Sequence, residues 1–264
     1  MRSAGLSRGL LAVAAASLAI WSLAYRDFAW GGQSSLARLP WREAWVYGSA
    51  LIILASSAGL CFPRTALPSV LTIGAYQAIG VAISIPPILS TPLGVDAWYP
   101  FCETLTPLLS AAILYATLRP QPRGSGTATA AAGAVRAAQI LFGLTCVFYG
   151  YSHFVYAGYT ASMVPPWLPN RLAFAYFTGL AHIAAGVGII VGMLPRLAAT
   201  LEAIMMTLFG LLVWVPSFFE HPRPRWATPP EQQWSELVVN VVLAASAWIV
   251  AISLARRPWS FASR

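Results

Sequence analysis

The sequence predicts an all-α membrane protein with eight transmembrane helices, arranged as two tandem parallel four-helix bundles. Composition is the first reason, because 58% of the residues are hydrophobic and only 9% are charged. A soluble domain carries about a quarter charged residues. The second reason is a series of long apolar runs, and the third is an internal repeat. So little polar surface cannot cover a water-facing globule, and lipid is therefore the expected solvent.

A helix needs about 20 residues to cross the hydrocarbon core, and eight apolar runs have this length or nearly this length. They are residues 9–25, 44–62, 66–85, 98–118, 137–156, 172–194, 197–219 and 234–254. The dipeptides Pro63-Arg64 and Pro195-Arg196 predict tight turns between spans, and Pro86-Pro87 and Pro216 predict the ends of spans three and seven. This interpretation divides the chain into a first repeat at 1–118, a flexible linker at 119–135 and a second repeat at 136–264.

The arginines predict the orientation of the chain in the membrane. All 16 basic residues are arginine, and if the N-terminus is cytoplasmic, the inner segments hold ten of them. This bias favours an inner (plasma) membrane protein with both termini in the cytoplasm. The acidic residues are expected near the outer boundary, with the exception of Glu202, which lies toward the inside. Because the arginines are scattered singly, they indicate topology and exclude nucleic acid as an expected partner.

The two halves of the chain align with each other in one order. Tyr25, Phe28 and Trp41 fall on Tyr151, Phe154 and Trp167, and further along Pro63-Arg64 falls on Pro195-Arg196, Leu51 on His182 and Glu103 on Glu236. Each half has an even number of predicted spans, so both copies point the same way across the membrane. The first run also fits a secretory signal peptide, but its match to span five predicts a retained helix.

The second half carries a group of local patterns that resemble a known family. They are Tyr149-Gly150-Tyr151-Ser152-His153-Phe154, the run Val164-Pro165-Pro166-Trp167-Leu168-Pro169, Tyr176-Phe177-Thr178-Gly179-Leu180-Ala181-His182 and the turn Pro195-Arg196. With these residues the chain resembles the DoxX-like family of small four-helix membrane proteins. The resemblance implies a four-helix fold for each half, and an association with quinone-linked sulfur oxidation or membrane redox complexes. Relatives commonly carry an acidic residue where this chain has His182, so a role for that carboxylate does not transfer.

His182 is the first candidate for chemistry, because an ionisable residue in the middle of a span is a functional suspect. Counting residues along the helices places Tyr149 and Asn240 at a similar depth. One interpretation is that His182 only hydrogen-bonds one of these two and holds helices together. The other is a proton relay or a contact with a quinone.

A second candidate site lies at the predicted outer boundary. It consists of His153, Trp167, Arg171 and Glu236, with Glu103 as the repeat counterpart of Glu236. A histidine–carboxylate pair beside tryptophan could bind a quinone head group, whereas the alternative is a hydrogen-bond network that only orients helices. In the first half Arg26 and Asp27 stand where the second has Ser152 and His153, and they predict a local ion pair.

Several kinds of chemistry are not indicated. Cys61, Cys102 and Cys146 are far apart and lack metal-ligand spacing, so no metal site is predicted. No phosphate-binding loop or nucleophile motif is present, and catalytic residues cannot be assigned. The sequence therefore favours an auxiliary subunit of a quinone-linked redox system with a redox partner protein. A small-molecule or lipid carrier or adaptor without catalytic activity is the alternative, and an enzyme in its own right stays open.

Overall fold

The computed structural model describes residues 2–30, 36–119, 126–220 and 229–259, and over these residues the chain is helical with no strand. The helices are α1 (Arg2–Tyr25), α2 (Arg42–Gly59), α3 (Ala66–Ile83), α4 (Ile85–Ser90), α5 (Val95–Leu118), α6 (Gly126–Val155), α7 (Ala157–Met163), α8 (Arg171–Val191), α9 (Pro195–Phe209), α10 (Val215–Ser217) and α11 (Pro230–Ser253). A π-helical turn, Gly210–Trp214, joins α9 to α10. The prediction of an all-α chain is thus confirmed for the described residues.

Seven stretches within the described residues are long and apolar enough to cross a membrane, which indicates a multi-pass membrane protein. They are Ser3–Tyr25, Ala66–Ser90, Val95–Leu118, Thr129–Val155, Arg171–Val191, Pro195–Ser217 and Pro230–Ser253. The predicted second span corresponds to α2, which is a helix of 18 residues that begins with Arg42 and Glu43 and contains three serines. These polar residues make α2 less apolar than the other seven.

Helix α6 begins at Gly126, inside the stretch predicted as a linker. Its first residues are rich in alanine, which has the highest helix propensity. Residues 120–125 of that predicted linker lie outside the described residues.

The chain divides into two compact units, Met1–Ala138 and Gln139–Arg264. In the first unit α2 packs between α1 and α3, and α3 packs along α5. Leu11, Val46, Ile73 and Leu114 are buried in this core. Asp27 forms its ion pair with Arg42 and not with the neighbouring Arg26, whose carbonyl oxygen also accepts a hydrogen bond from Arg42. The predicted local pair was therefore wrong, because Arg26 adopts a left-handed backbone conformation at the end of α1 and α2 presents a closer guanidinium.

In the second unit α9 packs against both α8 and α11, and α7 packs on α8. Hydrogen bonds between polar side chains also join helices of this unit. The Gln139 amide donates to Ser253 Oγ (3.0 Å), Trp248 Nε1 donates to Thr207 Oγ1 (3.1 Å), and the Gln233 amide donates to Ser217 Oγ (2.5 Å). Such bonds stabilise helix pairs in lipid, where no water competes for the polar groups.

Candidate functional site

The site lies in the second unit, where α6 and α8 approach each other through four glycines. We call Gly143, Gly150, Gly179 and Gly186 the glycine seam. A Cβ atom at Gly150 would lie 2.5 Å from the carbonyl oxygen of Gly179, and one at Gly143 would lie 2.8 Å from that of Gly186. Only glycine permits this backbone approach, and small residues at such spacing are how membrane helices reach close contact. The seam holds the adjoining side chains of both helices near each other.

His182 lies in the middle of α8 and forms a pair with Glu202 of α9. Its Nδ1 atom is 2.8 Å from Glu202 Oε1 and 3.0 Å from Oε2. His182 is only 1% exposed and Glu202 only 2%. A charge buried in this way is stable only when paired, so this geometry calls for an imidazole Nδ1–H facing a carboxylate, or for the neutral equivalent of that pair.

The turn between α8 and α9 explains why these two residues meet. Gly192 adopts a left-handed conformation (φ 75°) that ends α8, and Pro195 starts α9 three residues later. His182 and Glu202 stand at similar distances from this turn, so an antiparallel hairpin brings them to the same depth. His182 is on the buried face of α8 and Glu202 is on the buried face of α9, so the two side chains meet between the helices.

His153, near the end of α6, contacts His182 across the seam. The two ring centroids are 5.2 Å apart and the rings meet edge to face. The Nδ1 atom of His153 lies 3.0 Å from Thr178 Oγ1 and 3.3 Å from the carbonyl oxygen of Ala175, both on α8. The structure therefore brings the two histidines of the two predicted candidate sites into one cluster with Glu202.

Phe209 covers this cluster from α9. Its ring centroid lies 6.1 Å from that of His153, in a stacked arrangement, and 5.8 Å from that of His182. The π-helical turn begins at the next residue, Gly210, against which Asn240 of α11 is packed: a Cβ at Gly210 would be 2.6 Å from Asn240 Oδ1. Single π-helical turns within α-helices often occur at functional sites.

The predicted partners of His182 are nearby but do not form the hydrogen bond expected of them. The Tyr149 ring centroid lies 6.4 Å from that of His182, a ring contact, and the buried Asn240 packs on Gly210. The hydrogen bond of His182 is with Glu202 instead. Tyr149 and Asn240 thus belong to the surroundings of the site, and the prediction that one of them bonds His182 was wrong.

The residues predicted for the outer boundary differ in exposure. Trp167 is 69% exposed, and Arg171 is exposed at the start of α8. Glu236 is half-buried on α11, and the pKa of the Tyr159 phenol on α7 is raised by burial and, to a smaller extent, by the Glu236 carboxylate. Within the described residues no ion pair joins Glu236 to His153, whose hydrogen bonds go to α8.

The first unit lacks the histidine–carboxylate pair. Leu51, the predicted counterpart of His182, is 56% exposed, whereas Ile53 is 2% exposed and occupies the buried face of α2. The buried positions of α2 (Val46, Ala50, Ile53 and Ser57) have the same spacing as Ala175, Gly179, His182 and Gly186 of α8. By burial, an isoleucine therefore stands where the second unit has His182. Glu103 is half-buried on α5 of the first unit.

Sequence reasoning overlooked Glu202 and Phe209 as site residues. Glu202 stands in the sequence only as the single acidic residue expected on the inner side, although it and His182 are equally far along the chain from Gly192. That symmetry about the turn was the available signal. No group of three histidine, cysteine or carboxylate side chains among the described residues is arranged to hold a metal ion.

Part of the chain is similar to a known protein family. Residues 142–251 match a family described as a domain of unknown function, DUF8561. This stretch runs from α6 to α11 and includes every residue of the cluster. Neither the curated proteins nor the solved structures gave a match.

Proposed function

We propose that this protein is an auxiliary subunit of a quinone-linked membrane redox system, in which the second unit holds and transfers protons. The observation that carries the proposal is the fully buried His182–Glu202 pair with His153 beside it. Ionisable groups within a membrane span are expensive and are commonly parts of proton pathways. Imidazole is suited to this work because it titrates near neutral pH.

The donor set fits a quinone head group. The N–H at His182 Nε2, or that of His153 Nε2 once it has taken up a proton, could donate a hydrogen bond to a quinone carbonyl, and Phe209 offers an aromatic face at the same place. A bound quinone would accept the electrons, and these side chains would hold the proton that accompanies electron transfer. The resemblance of the second half to DoxX-like proteins supports the same assignment.

The proposed topology has eight transmembrane helices in two tandem parallel four-helix bundles, with α2 as the second span and both termini in the cytoplasm of the inner membrane. The packing of α2 between α1 and α3 supports its inclusion. Reporter fusions at Gly126 and after Leu254 should both give cytoplasmic signals. A periplasmic signal at either position would refute this topology.

The redox assignment is tested by isolating the full chain in native-lipid discs and analysing what is retained. We expect quinone and subunits of an electron-transfer complex to be enriched over discs that hold an unrelated membrane protein of similar size. In membranes from cells lacking the wild-type chain, the variant His182→Asn should support slower quinol-dependent respiration than the wild type. Absence of both enrichments would contradict the assignment.

A carrier or adaptor without catalytic activity is the second candidate, and the glycine seam favours it, because close small-residue packing is what a purely structural bundle needs. The same experiment separates the two. An adaptor would retain its partner protein and give unchanged respiration in the His182→Asn variant, whereas a proton-handling subunit would retain the partner and lose rate.

A further inference from the structure

We propose that Glu202, His182 and His153 form a one-proton chain: the His182–Glu202 pair stores a single exchangeable proton, and His182 Nε2 passes it to His153 Nε2. This inference deepens the proposed function and rests on it for the final acceptor of the proton. The storage and the transfer between the two rings follow from the geometry of the cluster itself.

The hydrogen bonds of His153 fix its tautomer. Its Nδ1 faces two oxygen atoms, Thr178 Oγ1 and the carbonyl oxygen of Ala175. The Thr178 hydroxyl donates its own hydrogen to the carbonyl oxygens of Phe174 (2.9 Å) and Ala175 (3.1 Å), so it accepts from His153. Nδ1 of His153 therefore carries the hydrogen, and its Nε2 is left with a lone pair that can accept a proton.

The charge of the His182–Glu202 pair determines where the stored proton lies. A neutral imidazole beside a carboxylate would leave one net negative charge buried, which is costly in an apolar interior. One additional proton makes the pair neutral, either as imidazolium and carboxylate or as imidazole and carboxylic acid. In the second form the acid donates to Nδ1. In both forms Nε2 of His182 carries a hydrogen, so the pair presents an N–H donor on the side away from Glu202.

The transfer step joins this donor to the acceptor on His153. The transfer starts from the imidazolium form; where the pair is imidazole and carboxylic acid, the acid proton first moves from Glu202 to His182 Nδ1. The N–H bond at His182 Nε2 then breaks, an N–H bond forms at His153 Nε2, and His182 keeps its hydrogen on Nδ1 toward the Glu202 carboxylate. The total charge of the three residues stays at zero throughout. The ring centroids lie 5.2 Å apart in an edge-to-face arrangement, so the proposed transfer crosses a single ring-to-ring contact, directly or through one bridging water molecule.

The surroundings add few competing charges. From α6 the other titratable group near His182 is Tyr149, and from α9 it is Glu202 itself. On α11 residues 237–253 contain no titratable side chain, and the two glutamates of that helix, Glu231 and Glu236, lie nearer its start. The proton balance of the cluster is therefore set by the three residues of the chain.

Nitrogen NMR of the histidine side chains tests the storage step directly. The sequence has three histidines, so His221→Asn leaves only the signals of His153 and His182 in a ¹⁵N-histidine-labelled full chain held in lipid nanodiscs. We expect His182 Nε2 to be protonated and His153 Nε2 to be unprotonated near neutral pH. In Glu202→Gln, where no carboxylate needs neutralising, His182 should be neutral and carry a single ring hydrogen. An unprotonated His182 Nε2 in the wild type, or a doubly protonated His182 in Glu202→Gln, would overturn the proposal.

The transfer step is tested by the exchange of the His182 Nε2 hydrogen with water. His153→Asn keeps the hydrogen bond toward Thr178 but removes the accepting nitrogen, and should slow this exchange by about a hundredfold, the lower limit for a positioned proton acceptor. Thr207→Val is the matched control, because Thr207 is on the same helix as Glu202 and the change removes a partly buried hydrogen bond from Trp248 of α11. Equal exchange rates in His153→Asn and the wild type would refute the transfer.

Neither measurement needs a quinone or a partner protein. If the native-lipid discs retain no redox component while the NMR pattern is found, the proton chain stands and the redox assignment fails. The reverse pattern would leave the redox assignment and refute the chain. If Glu202→Gln does not fold, the wild-type protonation pattern and the His153→Asn exchange rate still decide the proposal.

Discussion

Replacing the buried pair by apolar side chains should separate its chemical role from its contribution to stability. The variants are His182→Leu, Glu202→Met and the double variant. Both side chains are almost completely buried, and removing one member of such a pair leaves the other without its partner, which costs about 3–5 kcal/mol of unfolding free energy. Replacing both members by hydrophobic residues of similar size is often neutral or stabilising by about 1–4 kcal/mol.

We therefore expect each single variant to be strongly destabilised and the double variant to be at least as stable as the wild type. The assay is equilibrium unfolding in mixed micelles with increasing denaturing detergent, followed by tryptophan fluorescence. Quinol-dependent respiration should be reduced in all three variants. If the double variant is destabilised by the sum of the two single losses, the pair makes a net structural contribution and the reasoning fails.

Three further predictions concern close contacts and one electrostatic interaction in the second unit. Gly186→Ala should be destabilised by about 1–3 kcal/mol in the same unfolding assay, because the added Cβ meets the backbone of Gly143. Gly158→Ala is the control and should unfold like the wild type, because there is open space around Gly158. Equal stability of the two variants would contradict the close approach of the α6 and α8 backbones. Gly210→Ala should lose stability that a second change, Asn240→Ala, restores, and a purely additive loss would show that the two residues do not clash. Glu236→Gln should lower the pKa of Tyr159, measured by NMR of labelled tyrosine, because the phenolate would no longer face a carboxylate; an unchanged pKa would place Glu236 out of range.

The helices and their turns could be predicted from the sequence because single residues fix them. Proline suits the first turn of a helix and is disfavoured in its interior, so Pro195 marks a helix start, and the apolar runs on both sides of it have the length of a span. The burial of His182 could also be predicted, because His182 lies among small residues in the middle of α8.

The partner of His182 was harder to predict because pairing between helices depends on rotation as well as depth. Depth estimated from the predicted spans favours Tyr149 and Asn240 and places Glu202 nearer the inner side. The rotation of α9 about its axis, which points Glu202 at α8, follows from the Gly192–Pro195 turn and from packing against α11, and no local pattern encodes it. The same limitation explains why Leu51 was aligned with His182, although Ile53 occupies the buried position.

The glycine seam has a consequence for how fast such a protein could work. The gap between the two imidazole rings is set by the separation of the α6 and α8 backbones, because His153 and Gly179 are in contact where the helices meet. Every atom added at the seam would widen that gap without changing any titratable group. Substitutions of increasing size at Gly179 or Gly186 would therefore form a graded series in which the rate of proton hopping falls while the number of protons bound stays the same.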